Sequence, residues 1–451
     1  MVREAGIPRL RIGNLEDFLV LRPAETENVI TEMNLNPAEV EKIVREVMAK
    51  KITAAEAVSV VPSRSTAAPA ASTAIPTVAR AAVLVEKKRL ELKEFPLRQI
   101  RADELLVRVE GCGICGTDIH CYRNDPFNLC PVVLGHEGTG EVVEVGSAVH
   151  MDSVGKPVHV GDRVVTSTMD APAACMIAKY NPDKTNLCDD LGIYGLLPDE
   201  PDNHFNGYFG EYLIIRPGSS FFVVNDMGLD LRLLIEPAAV VAHALERAKK
   251  TGLINFRSRV IVQGCGPIGL FMIACVRTAG VNNIIAIDGN SNRLETAKLM
   301  GADYTLNFRD YPSRDGLVEA VNGLTKGLGA HFAFQVTGVP SAASTIWKLV
   351  RRGGGICELG FFVDSGECSI NPHQDICKKE ITLVGSWTYN SWEYPNAYHF
   401  LQRAVRAGVP IEKLITHRFP LDRITEAFET GIRQEGIKIV VENPNFTSLR
   451  S

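Results

Sequence analysis

The chain has 451 residues, with 48 Lys and Arg against 53 Asp and Glu and a formal net charge of −5. That balance argues against nucleic acid as the main partner, because phosphate binding needs a cationic surface. Hydrophobic residues are 45% and charged residues 22%; this is globular rather than disordered composition, and no run of 18 apolar residues suggests a membrane span.

The first residues carry Glu4, Glu16, Asp17, Glu25 and Glu27 and no apolar core before a cleavage site. They resemble neither an export signal nor an acid-poor transit peptide, so the expected location is cytoplasmic. The 11 cysteines are then expected as thiols, metal ligands or core residues rather than a disulfide framework. All of them, and all ten histidines, follow residue 111.

Residues 1–35 show no clear period. Asn36 and Pro37 form a helix start, and Val40, Ile43, Val44, Val47 and Met48 follow on one helical face. An amphipathic helix is expected over 37–51. Residues 62–79, PSRSTAAPAASTAIPTVA, cannot build a core and read as a linker. Short β-branched strands are expected next, at Ala81–Val85, Glu104–Val109, Gly140–Val145 and Arg163–Thr166. From about residue 240 strands and helices alternate, beginning with Arg259–Gln263, Gly269–Ala279, Ile284–Asp288 and Arg293–Met300. That alternation implies a parallel sheet with helices on both faces. Helices at Pro395–Ala407 and Ile424–Gln434 and a strand at Ile437–Val441 close the chain.

Residues 259–269 read RVIVQGCGPIG. Gly264, Gly266 and Gly269 lie between a strand and a helix opened by Pro267 and Ile268, the arrangement that sets a pyrophosphate on free helix amides. Asp288 ends the next strand, 24 residues after Gly264, where a carboxylate takes the ribose hydroxyls of NAD and repels a 2′-phosphate. Arg293 follows as a further cofactor contact or a surface helix residue.

Residues 111–120 read GCGICGTDIH and 135–137 read GHE. Cys115 and His136 suit zinc. Cys112 and Cys115 also form C-x-x-C, whose default readings are a structural zinc knuckle or a redox pair; neither fits, since there is no second C-x-x-C and no thioredoxin-like unit around it.

GICGTDIH, GHEGTGEVVEVG, VGDRVV, EPAAVVAHA, the glycine turn and LITHRFPLDRITEAFE occur in one order. In that order the chain resembles the zinc-dependent medium-chain dehydrogenase/reductase family, within it the polyol and threonine dehydrogenase branch. The resemblance covers residues 80–445. It implies an α/β fold: a mostly β GroES-like catalytic domain plus a Rossmann doubly wound parallel sheet, here with an N-terminal helical extension. The implied organisation is an extension over 1–61, the linker, the first part of the catalytic zinc domain over 80–239, the NAD-binding domain over 240–388, and a return to the catalytic domain over 389–451.

The resemblance also implies roles. Cys115 and His136 match ligands of one catalytic zinc, and Glu137 and Glu236 match glutamates at or near the metal. Glu236 stands where alcohol dehydrogenases proper have a cysteine. Thr117 matches the hydroxyl that meets the substrate alcohol, His120 the outer histidine of a proton relay, and Asp118 a residue that orients His136 or caps a helix. Many relatives carry four cysteines in a structural zinc lobe. Residues 166–190 keep only Cys175 and Cys188, so no structural zinc is expected and both are read as free thiols.

The implied activity is hydride transfer between NAD and the secondary alcohol of a small polar substrate: a polyol, sugar alcohol, sugar phosphate or hydroxy amino acid. The alternatives are a silent scaffold of the same fold and a zinc-free reductase of the superfamily. The family also implies a homodimer or homotetramer. The helix at 37–51 with its linker resembles an encapsulation peptide, implying a microcompartment shell protein as partner; the other reading packs that helix on the parent domain or at an oligomer interface. Tyr122, Arg123, Phe127 and the stretch SWTYNSWEY (386–394) are further candidates for the substrate pocket.

Overall fold

In the computed structural model, residues 75–167, 175–189 and 191–443 are described. The helix expected at 37–51 and nearly all of the linker lie outside them.

Strand β1 (Val78–Glu86) turns back antiparallel into β2 (Arg89–Pro96). It takes in the last two residues of the expected linker, Val78 and Ala79. Strand β3 (Leu105–Gly113) is buried along almost its whole length. Side chains alternate across a strand, and here both faces are covered. Leu105, Val107 and Val109 enter one core with Leu134 and Phe209, whereas Leu106 enters another with Val83 and Tyr212. Helix α1 (Gly116–Asn124) follows at once, then β4 (Val132–Val133), β5 (Glu137–Val145), β6 (Arg163–Thr166), β7 (Tyr212–Ile215) and β8 (Phe221–Val223).

Strand β5 opens three residues earlier than the expected start at Gly140. Its glycines serve close packing. A Cβ on Gly138 would lie 2.0 Å from the Tyr208 ring.

Helix α2 (Ile235–Lys249) leads into the second half. There β9 (Val260–Gln263), α3 (Pro267–Thr278), β10 (Ile284–Asp288), α4 (Ser291–Leu299), β11 (Tyr304–Asn307), α5 (Arg314–Leu324), β12 (Ala330–Gln335), α6 (Pro340–Leu349), β13 (Val350–Glu358) and β14 (Thr382–Gly385) follow in turn. The strands order as β11-β10-β9-β12-β13-β14, all parallel. This is the doubly wound order, whose direction reverses between β9 and β12 and opens a crevice there. Central strands covered on both faces read as continuous apolar runs, as VIV and IIAI do here.

Helix α7 (Glu393–Arg406) packs on α2 and α3 through Tyr394, Ala397, Phe400 and Leu401. The chain then returns to the β-rich sheet through β15 (Ile415–Pro420), α8 (Ile424–Ile432) and β16 (Lys438–Glu442). That sheet runs β15-β16-β3-β5-β6-β8, with β7 beside β3. Strand β16 pairs antiparallel with the end of β3, setting Val440 opposite Gly113.

Cys175 and Cys188 are joined in a disulfide, which corrects the reading of both as free thiols. Between them a short helix (Met176–Tyr180) and a 3-10 turn (Pro182–Leu187) fold the chain back, leaving their Cα atoms 6.1 Å apart. Among the described residues no helix is long and apolar enough to cross a membrane.

Candidate metal and dinucleotide site

Strand β3 ends at Gly113 and α1 begins at Gly116, so Cys115 stands at the N-cap of the helix. Asp118, in the first turn, accepts the Cys115 amide on Oδ2 at 2.8 Å. It therefore caps the helix, and its other oxygen accepts the Gly135 amide at 3.3 Å. Strand β5 begins at Glu137, which leaves His136 at the same edge. The ligand atoms of Cys115, His136 and Glu137 all lie within 4.8 Å of one another.

The donor set fits a zinc ion. A thiolate, an imidazole and a carboxylate are its ordinary protein ligands. His136 is buried, and its Nδ1 lies 3.5 Å from Asp118 Oδ1 without a hydrogen bond. Burial by itself would lower the His136 pKa, but Asp118 and then Cys115 hold it well above the usual value.

Glu137 is held from behind by Lys438 of β16. Lys438 Nζ donates to Glu137 Oε1 at 2.6 Å and also contacts Oε2. Glu236, in the first turn of α2, faces the same cavity but is not one of the three clustered ligand groups. Its Oε1 accepts the Tyr389 hydroxyl at 2.5 Å. Burial pushes the Glu236 carboxyl up to about 7, and Glu137 adds to the shift; His136, Tyr389 and Lys438 oppose it.

Thr117 is buried, with its Oγ1 3.7 Å from Cys115 Sγ. Thr117 and His120 both line the cavity. Partial burial, with Arg123 nearby, lowers the His120 pKa, which favours an imidazole able to accept a proton. Cys112 does not join the cluster. Its Sγ donates to the Gly113 carbonyl at 3.3 Å, and burial pushes its thiol well above the usual range. The C-x-x-C spacing is therefore neither a knuckle nor a redox pair.

The cavity encloses about 240 Å³. Ile268 of the glycine turn lines it together with Val336 and Leu359. A second cavity of about 370 Å³ is lined by Gly264, Thr337 and Asp288. Between them lies the N-terminus of α3, with Gly266 at the N-cap and Pro267 in the first turn. The tight turn needs Gly269, where a Cβ would meet the Gly264 carbonyl oxygen at 1.8 Å. Asp288 accepts the amides of Cys265 at 2.7 Å and Asn290 at 2.8 Å, which aims its carboxylate at the crevice rim. Arg293 lies beside it with Arg309.

The remaining pocket candidates separate. Tyr122 is buried against Phe428, with ring centroids 5.2 Å apart, so it belongs to the core. Arg123 is exposed. Phe127 meets Phe362 edge-on at 6.4 Å, and Phe362 stacks on Trp387 at 5.0 Å. The residues that sequence reasoning missed are Lys438, Phe361, Phe362, Ile193 and Leu196. Lys438 left one signal, a single cation opening the otherwise apolar run IVV; the other four belong to segments without a motif.

Two family descriptions match the chain, "alcohol dehydrogenase GroES-like domain" over residues 101–225 and "zinc-binding dehydrogenase" over 267–403. The chain is 30% identical to a sorbitol dehydrogenase of Bacillus subtilis, over 80% of this chain and 96% of the relative. It is 30% identical to an L-threonine 3-dehydrogenase of Symbiobacterium thermophilum, over 78% and 93%. An alcohol dehydrogenase from Thermotoga maritima superposes with a TM-score of 0.76 at 29% identity, covering 81% of this chain and 99% of that one.

Proposed function

Because the chain belongs to the zinc-binding dehydrogenase family, we propose that it transfers hydride between NAD and the secondary alcohol of a small polar substrate, using one zinc ion per chain. The observation that carries this is the convergence of Cys115, His136 and Glu137 within 4.8 Å beside a cavity that leads to the glycine turn.

Cys115, His136 and Glu137 hold the metal, with Glu236 beside them as a fourth or exchanging carboxylate. Zinc supplies Lewis acidity that lowers the pKa of the substrate hydroxyl, and NAD is the hydride carrier. In this reading Thr117 Oγ1 accepts a hydrogen bond from the substrate hydroxyl and passes on its own proton as it takes the substrate's, through the cofactor ribose and His120 to solvent; both side chains line the cavity. The α3 amides and Gly264–Gly269 receive the pyrophosphate, and Asp288 the ribose hydroxyls. Asp288 favours NAD over NADP. The apolar contacts of Ile268, Val336 and Leu359 keep water from the reacting carbon.

Residues 37–51 serve in this reading as a docking helix for a microcompartment shell. The family body assembles as a homodimer or homotetramer.

The test is metal content together with turnover. The full chain should hold one zinc per chain and reduce NAD⁺ with an alcohol. Cys115→Ser should lose both metal and turnover while still binding NADH. Turnover that survives in a zinc-free Cys115→Ser protein would favour the zinc-free reductase instead.

A further inference from the structure

The cavity carries a signature of its substrate. Among the described residues that line it none is Lys or Arg. The buried cation nearest the reacting end, Lys438, lies behind Glu137 and is engaged by that carboxylate and by the Ile114 carbonyl. The Cys115 amide at the start of α1 is taken by Asp118. Two carboxylates, Glu137 and Glu236, face the space. Away from them Ile193, Leu196, Phe361, Phe362 and Trp387 make an apolar side of the wall, and the hydroxyls of Ser386 and Thr388 also line it, Thr388 Oγ1 being buried without a hydrogen-bond partner. Phe362 and Trp387 stack with ring planes 10° apart and form a flat face. That face is anchored, because Asn186 Nδ2 donates to the Trp387 carbonyl at 2.6 Å.

A phosphate or carboxylate held on this wall, away from the metal, loses its water and finds no Lys or Arg among the described lining residues, and burying an unpaired charge is strongly unfavourable. An amino-acid ammonium could meet Glu236, but the carboxylate on the same carbon would meet apolar groups and hydroxyls and no Lys or Arg among the described lining residues. A neutral carbon chain loses nothing there and gains apolar burial. We propose that the substrate is an uncharged short-chain secondary alcohol or diol whose carbon end lies on Phe362 and Trp387, and that phosphorylated and carboxylated alcohols are rejected. This rests on the dehydrogenase reading above and narrows it.

The experiment uses the zinc-loaded full chain and alcohols of matched shape: 2,3-butanediol and 3-hydroxybutanamide as neutral probes, 3-hydroxybutanoate and glycerol 3-phosphate as charged ones. NAD⁺ reduction gives kcat/KM. Titration of the same alcohols into the enzyme–NADH complex, where oxidation is blocked, gives binding without turnover. The neutral probes should exceed the charged ones at least 100-fold in kcat/KM and bind correspondingly more tightly. Trp387→Ala should raise KM for the neutral diol about tenfold and lower kcat by less than KM rises, as expected for a wall that binds carbon. Leu196→Arg should narrow the gap between 3-hydroxybutanamide and 3-hydroxybutanoate at least tenfold. Equal or better use of the charged probes overturns the inference, as does failure of every neutral probe to bind. Binding of neutral probes with no oxidation sinks the dehydrogenase reading and leaves the inference about the wall standing.

Discussion

Lys438 and Glu137 are 301 positions apart in sequence, and a buried hydrogen-bonded ion pair joins them behind the candidate metal site. A buried pair adds little beyond what apolar residues would, but breaking one side leaves an unpaired charge and costs about 3–5 kcal/mol. Lys438→Met should destabilise the chain by about that amount. The double variant Lys438→Met/Glu137→Gln should recover much of it, since no charge is then left alone. Urea denaturation of the two single variants and the double measures the coupling; simple additivity would mean that the pair carries no coupling energy.

Glu358 ends β13, and its Oε1 accepts the Gly360 amide at 2.9 Å. Burial pushes its carboxyl up to about 7, against the opposing effect of that amide. The folded chain thus holds this proton more tightly than the unfolded chain, where a glutamate titrates near about 4.3. The associated stability is complete below about pH 4.3 and is lost as pH rises through about 7. Glu358→Gln keeps an acceptor for Gly360 and cannot ionise. Its Tm relative to the parent should therefore rise between about pH 5 and about pH 8. A Tm difference that is flat across that window would contradict the assignment.

The disulfide ties a lobe that supports the substrate wall. Asn186 holds the Trp387 carbonyl, and the Asp183 carbonyl accepts Asn390 Nδ2 at 3.1 Å. The crosslinked residues are 13 apart, and in the chain-entropy account a loop of that size contributes about 3 kcal/mol. Cys175→Ser/Cys188→Ser should lower stability by roughly that amount and raise KM more than it lowers kcat. Dithiothreitol should move the parent protein toward the variant. Denaturation and steady-state kinetics with and without reductant read both effects.

Removal of residues 1–74 leaves β1 whole, since that strand starts at Val78. The truncated chain should keep kcat/KM within about twofold of the parent and lose retention by microcompartment shell proteins in a co-sedimentation assay. Removal through residue 79 cuts two residues from β1, including the buried Ala79, and should lower Tm. A dead or unfolded 1–74 truncation would mean that the extension packs on the parent domain.

Much of the fold was legible because two periods dominate the chain. Apolar runs such as VIV and IIAI, alternating with helical faces and interrupted by Gly264–Gly269, specify parallel strands and crossing helices through local geometry alone. Less legible were strands with few apolar residues. Half of Arg89–Pro96 is charged, and the segment pairs along its length with β1. The thiols at 175 and 188 could not be paired from spacing, since their approach depends on two short turns that reverse the chain.

The candidate ligands Cys115 and His136 could be named from sequence because each sits in a short segment whose residue types suit zinc, and Glu137 through the family resemblance; the three come together in the structure. Asp288 and the glycine turn could also be named from sequence, since a pyrophosphate beside helix amides admits few local solutions. Tertiary structure alone decided what surrounds them. Lys438 reaches Glu137 only when β16 pairs with β3, and Tyr389 reaches Glu236 only when the segment after β14 crosses α2. Phe362 stacks on Trp387 only because β13 and β14 lie side by side and their following segments meet at the cavity mouth. A metal ligand or a phosphate turn is defined by local backbone geometry. A pocket wall is defined by which distant strands become neighbours, and no spacing in the chain records that.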